Sequence, residues 1–340
     1  MRIIRALSAV CVAAGALAAI SLATPAAVSA ATGCPAQTLA IPGTAATPNY
    51  SDPFATAVDS SGNIYVADAT TNYIHKFDAN GTEIMTIPPT AATPNLSDPQ
   101  GLAVDAAGNI YVAVRDNSDI IKFNASGTQT MEIPKTNATP NLSFPESLAV
   151  DGAGNLYLSD EGQEYLYRFD STGAQTLAIP QTAANPDMGE SEGIAVDSAG
   201  NIYATSFTND FTYRFDASGN QTLTIDPTTT TPNITDPVGV AVDSSGNIYV
   251  ADPGSDTIFR FDSSGAQTLA IAATAATPNF DFPVGLAIDS ERNLYITDDG
   301  TETTYRFCTV DTPPTPTPTP TPAPTPPAAE PVAVTPEFTG

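Results

Sequence analysis

The chain repeats itself every 46 residues, six times over and without insertion or deletion, and this period constrains its fold more than any other feature. The aspartate closing each Ala-Val/Ile-Asp segment falls at Asp59, Asp105, Asp151, Asp197, Asp243 and Asp289, and the next turn asparagine at Asn63, Asn109, Asn155, Asn201, Asn247 and Asn293. A repeat of this length built from short strands predicts a ring. In the second repeat, residues 101–105, 110–113, 119–123 and 129–133 read as four strands, because β-branched and aromatic residues alternate between turns rich in Gly, Asn and Ser. The expected fold is therefore all-β, a six-bladed β-propeller of four-stranded blades.

The period also sorts residues into columns. Phe77, Phe123, Phe169, Phe215, Phe261 and Phe307 form one, and Tyr65, Tyr111, Tyr157, Tyr203, Tyr249 and Tyr295 another; both read as core between blades. Ala57, Ala103, Ala149, Ala195, Ala241 and Ala287 fall on the innermost strand, where only small side chains fit. A basic column, Lys76, Lys122, Arg168, Arg214, Arg260 and Arg306, is expected to pair with the repeated aspartates, each exposed pair contributing little.

The run Gly239-Val240-Ala241-Val242-Asp243-Ser244-Ser245-Gly246-Asn247-Ile248-Tyr249-Val250-Ala251-Asp252, followed by Ile258-Phe259-Arg260-Phe261-Asp262, resembles the NHL-repeat family of propellers. The pattern recurs in each repeat across residues 34–310, and the absence of Trp argues against a WD-repeat ring. The resemblance implies a toroid whose usual function is binding, with a minority of enzymes among its relatives.

Residues 37–42 lie one period ahead of residues 83–88, so they form a fourth strand with no three strands before it, while the last repeat ends after its third strand. The first strand is expected to complete the last blade, which removes two open edges. Shifted by whole periods, Cys34 and Cys308 fall on the positions of Asn80 and Asp78, which flank one tight turn. Cα atoms about 5 to 6 Å apart suit a disulfide, so a Cys34–Cys308 bond is expected; a lipid-modified Cys34 is the competing reading.

Residues 1–30 read as a secretory signal peptide, with Arg2 and Arg5 before an apolar run and Val28-Ser29-Ala30 at the cleavage site. Residues 31–310 form the propeller, and 311–340 a Pro/Thr-rich stalk or linker favouring polyproline II. The protein is expected to be secreted or associated with the cell surface or wall, monomeric, and without a transmembrane anchor. With 37 acidic against 11 basic residues and a net charge of −26, nucleic acid is excluded as a partner. A protein, peptide or cell-wall glycan is the expected one.

Variation concentrates on the face bearing the connections between blades and the loops between second and third strands. The position before the first strand reads Phe54, Gln100, Glu146, Glu192, Val238 and Val284, and Asp160, Glu161 and Glu164 lie on the third blade's loop. Gln100, Glu146, Asp160, Glu161 and Glu192 are the candidate ligand-binding residues. A solvated acidic surface, a ligand surface and a calcium site all remain open, since calcium needs six to eight converging oxygens. No catalytic residue, metal ligand or cofactor is assigned, calcium aside. His75, the only histidine, shares its column with Ile121, Tyr167, Tyr213, Phe259 and Tyr305 and reads as a packed strand residue, too little for the zinc site of the amidating lyases that NHL rings resemble. Near-symmetry argues against an enzyme, because catalysis needs different groups at different places. The expected function is a non-catalytic binding module; the alternative is a calcium-dependent hydrolase or lactonase with a carboxylate site at the axial mouth.

Overall fold

A computed structural model describes residues 36–184, 186–273 and 279–308. The expected signal peptide, Cys34 and the Pro/Thr-rich stalk lie outside them. Six four-stranded antiparallel sheets make the six blades of a propeller. Blade 3 is typical: Pro145–Val150 is its innermost strand, followed outward by Leu156–Asp160, Tyr165–Phe169 and Gln175–Pro180.

Each first turn is fastened by its own sequence. Asp59 Oδ1 accepts the backbone N–H groups of Ser61 and Asn63, and Oδ2 accepts the Asn63 side-chain amide and the Tyr65 hydroxyl. The same bonds recur around Asp105, Asp151, Asp197 and Asp243. Burial pushes these carboxyls up, but the donated bonds, led by the asparagine amide, hold Asp59, Asp105, Asp151 and Asp197 below the usual carboxylate range. The tyrosine column is thus core with a polar tip, its rings buried and its hydroxyls satisfied.

No blade buries both faces by itself. One apolar cluster joins Ala103, Tyr111 and Ile120 of blade 2 to Leu148, Leu156 and Phe169 of blade 3, and equivalent clusters join the other neighbours. The ring must therefore close. It does so where Ala36–Pro42 pairs antiparallel with Thr303–Cys308 as the outer strand of blade 6, with Ala36 opposite Cys308. Cys308 is disulfide-bonded.

The basic column behaves differently from the sequence expectation. Lys76 does lie 3.7 Å from Asp59, but Arg168, Arg214 and Arg306 reach across to the turn carbonyls of Ala217, Ser263 and Ala79 in the next blade, at 2.9–3.0 Å. The turn aspartates are already saturated by local donors, so the guanidinium groups bridge blades through backbone instead.

The innermost strands approach one another closely. In five blades the pairing between first and second strands slips near the start, leaving Phe54, Gln100, Glu146, Glu192 and Val284 out of register. Such bulges re-aim a side chain. The residue that follows is Gly101, Gly193, Gly239 or Gly285 in four blades, and an added Cβ there would press on the next blade's carbonyl oxygen at Glu146, Val238, Val284 or Phe54. Hydroxyls stitch the same seam: Thr205 accepts from Gly193 N–H at 2.9 Å and donates to Val238 O at 2.7 Å, and Ser159 and Thr297 repeat the pattern.

Two outcomes follow for the ring. Gly239→Ala should lower stability by ~1–3 kcal/mol, as overpacking does, read as a lower unfolding midpoint, whereas Gly152→Ala, where a Cβ meets nothing, should be neutral. The intact mass of the exported protein should fall two hydrogens short of the reduced chain, with Cys34 and Cys308 in one peptide pair; an added lipid mass would instead assign Cys34 to an anchor.

Candidate active site

The bulges turn one column of the repeat onto the axis. Phe54, Gln100, Glu146, Glu192, Val238 and Val284 together ring a small cavity, of ≈ 50 Å³, at the mouth of the propeller. A second ring, Leu102, Leu148, Ile194, Val240 and Leu286, lines the cavity below them and forms its apolar floor. Three of the five expected ligand-binding residues, Gln100, Glu146 and Glu192, meet here.

The apolar floor removes water from the two glutamates. Glu146 is only 3% exposed, and its carboxyl is pushed well up by burial first and then by the charge of Glu192, with Arg115 pulling the other way. Glu192 keeps partial access to solvent along the axis and is pushed up to about 7, by burial and then by the charge of Glu161. Burial and the like charge opposite both disfavour ionising the two carboxyls together. Gln100 is fixed by donating to Asp98 at 2.5 Å.

Arg115 governs the rim. Its Nε lies 2.5 Å from Glu146 Oε1, an ion pair whose atoms are not aligned as a hydrogen bond, and its Nη2 bonds the Glu161 carboxylate. The ring of Phe144, 48% exposed, lies 5.0 Å beneath the guanidinium and holds its plane. Sequence reasoning left Arg115 as part of a variable loop. The signal was its column, Ala69, Arg115, Glu161, Phe207, Pro253 and Asp299, in which Arg115 and Glu161 are 46 residues apart and therefore neighbours around the ring.

Asp160 does not join the site. One of its oxygens accepts from Ser143 N–H at 2.8 Å and the other from Gln163 N–H at 2.9 Å, tying the connection to the loop of its own blade. Burial raises its carboxyl to about 6. Asp68, Asp252 and Asp298 make the equivalent bond to Ser51, Thr235 and Asp281, so this acid belongs to the scaffold. Glu161 reaches the site through Arg115 and by direct side-chain interaction with Glu146. On the far side of the same face, Asp52 is raised to about 7 by burial and by Asp299, a further acid pair that sequence reading passed over.

His75 is a buried strand residue with Nδ1 2.8 Å from Glu83 Oε1, stacked on Tyr73. The axial oxygens do not make a calcium cage. Arg115 occupies one side of Glu146, and among the described residues no three His, Cys, Asp or Glu side chains are grouped to hold a metal ion; calcium needs six to eight oxygens. No helix among the described residues is long and apolar enough to cross a membrane.

The fold and its axial pocket define a six-bladed propeller with an acidic mouth. The chain is a six-bladed β-propeller consistent with the NHL-repeat family: residues 235–261 match the NHL repeat, and residues 60–148 match the SMP-30/Gluconolactonase/LRE-like region. No curated protein matches it in sequence. Among solved structures, a gluconolactonase from Xanthomonas campestris is similar at 16% identity, over 76% of this chain and 86% of that one, with a TM-score of 0.59. A virginiamycin B lyase from Staphylococcus aureus is similar at 13% identity, over 80% and 99%, also at 0.59, and a catalytically inactive form of that lyase with quinupristin at 14%, over 76% and 80%, at 0.56. At such identities the likeness is one of fold.

The family match overturns the expectation that this chain is not an enzyme, since the gluconolactonase-like region is that of an enzyme family. The symmetry argument failed for a physical reason. The ring is near-symmetric where blades pack on each other, but the column aimed at the axis carries four different residue types in six blades.

Glu192 supplies a stability test. Its folded pKa of about 7 exceeds the ordinary 4.5, so the native state holds the proton more tightly and this group destabilises the fold as pH rises from about 4.5 to 7. Glu192→Gln should therefore raise the unfolding temperature more at pH 8 than at pH 4, and equal shifts at both would show that burial does not perturb the carboxyl.

Proposed function

We propose that this protein is a lactone-opening hydrolase that works at the axial mouth with Glu192 as general base and Glu146 as general acid. The observation that carries the reading is the placement of two carboxyls of unlike environment, Glu146 buried and Glu192 partly open to solvent, on one wall of the axial pocket. Groups whose surroundings push their pKa values apart are suited to opposite proton-transfer roles. The match of residues 60–148, which include Gln100, Arg115 and Glu146, to the gluconolactonase-like region supports the same reading.

In this mechanism ionised Glu192 takes a proton from a water molecule as the water oxygen bonds to the lactone carbonyl carbon, and the carbonyl π electrons move onto its oxygen. Gln100 and Arg115 provide N–H donors toward that developing charge. When the intermediate collapses, the ring C–O bond breaks and the departing oxygen takes the proton of Glu146, leaving a hydroxy acid. Bulk water exchanges the protons afterwards. Arg115 positions Glu146, and Glu161 positions Arg115. The donor set does not form a calcium cage, so no step passes through a metal ion.

Turnover of simple γ- and δ-lactones, followed by proton release, tests the proposal. The value of kcat/KM should rise through about pH 7 as Glu192 ionises. Glu192→Gln and Glu146→Gln should each lose ~10²–10⁴-fold, and a chelator should leave the rate unchanged. Full activity in both variants would remove the glutamates from the chemistry; loss of activity with the chelator, restored by calcium, would return it to the metal.

A further inference from the structure

We propose that the mouth is built for lactones carrying an apolar alkyl substituent rather than for polyhydroxylated sugar lactones. The inference rests on the lactone-opening reading of the same pocket and adds the class of substrate.

It follows from how the axial column is distributed around the ring. Gln100, Glu146 and Glu192 come from the consecutive blades 2, 3 and 4, while Val238, Val284 and Phe54 come from the consecutive blades 5, 6 and 1. Blades three apart lie opposite each other in a six-bladed ring. Gln100 therefore stands across the axis from Val238, Glu146 from Val284, and Glu192 from Phe54. One half of the wall is made of hydrogen-bonding side chains and the other half of hydrocarbon. Val238 and Val284 are buried, and Phe54 is partly so. The floor below both halves is aliphatic apart from Thr56, whose hydroxyl donates to Tyr65 O at 3.0 Å.

A sugar lactone presents hydroxyls around its whole ring. Seated with its carbonyl against the glutamates, it would press several of them onto Val238, Val284 and Phe54, where each would lose water and gain no partner; an unpaired buried polar group is costly. A lactone with an alkyl arm meets the same wall without loss. Its ester group lies against Gln100, Glu146 and Glu192, and the arm crosses the axis onto the hydrocarbon half. The cavity is small and opens at the mouth, so the length of arm it accepts is set by the opposite wall.

A substrate series decides the matter with the wild-type protein. For γ-butyrolactone and its γ-alkyl homologues, kcat/KM should climb by about fourfold per added methylene, the fold-change equivalent to ~0.8 kcal/mol for a buried CH₂, and then level off when the wall is covered. D-glucono-1,5-lactone should be the poorest of the set. Phe54→Gln should flatten the climb, read as a smaller ratio of kcat/KM between the longest and the shortest homologue. A flat series, or preference for the glucono-lactone, overturns the inference and leaves the hydrolase reading standing. If no lactone is turned over, the hydrolase reading falls, and binding of γ-alkyl lactams, which resist hydrolysis, then judges the pocket alone: affinity rising with chain length supports the apolar half, and affinity independent of it refutes that half.

Discussion

Six innermost strands converge on one axis, and the closeness of that convergence governs what every position near it can hold. Where the carbonyl oxygens of Glu146, Val238, Val284 and Phe54 press on the preceding blade, the sequence answers with Gly101, Gly193, Gly239 and Gly285. Where the second strand abuts the same seam, Ser159, Thr205 and Thr297 relay a hydrogen bond from one strand to the next. In five blades a bulge in this crowded region takes the axial residue out of the ladder. Packing thus sets where a functional side chain can be placed, and leaves its identity free.

That freedom is used unequally. Around the outside, each blade has the same Asp-Asn-Tyr turn and the same interblade core, because every blade solves the same burial problem. At the axis the six positions lie outside the turn and the interblade core that every blade shares, and their residue types differ from blade to blade. The result is a mouth with a wet half and a dry half above an aliphatic floor. Low dielectric follows from the floor, the raised carboxyls follow from low dielectric, and Arg115 sits where it offsets part of their mutual repulsion.

The acidity of the chain takes on a different meaning in this setting. Many acids are spent on turns, accepting two or more backbone N–H groups, and Asp160 is one of these despite its place beside the third blade's variable loop. A carboxylate's neighbours in sequence gave no means of distinguishing it from Glu146, since both are acids beside a variable segment. The distinction is geometric. Asp160 finds donors within its own blade and the adjoining connection, whereas the bulge at Glu146 points its side chain away from any backbone donor and toward Glu192 and Arg115.

By itself the sequence determined the ring: the 46-residue period set the number of blades, the four strands in each, the closure by the first strand, and the column facing the axis that contains Gln100, Glu146 and Glu192. Periodicity is enough for this because each blade buries the same faces against its neighbours, so position within the repeat is position in the fold. Only the tertiary structure decided which acids act together, that Arg115 bridges Glu146 to Glu161, and that the axial wall divides into polar and apolar halves. Desolvation and Coulomb coupling depend on distance across the axis and on what closes the floor beneath it, and neither is carried by any residue's place in the repeat.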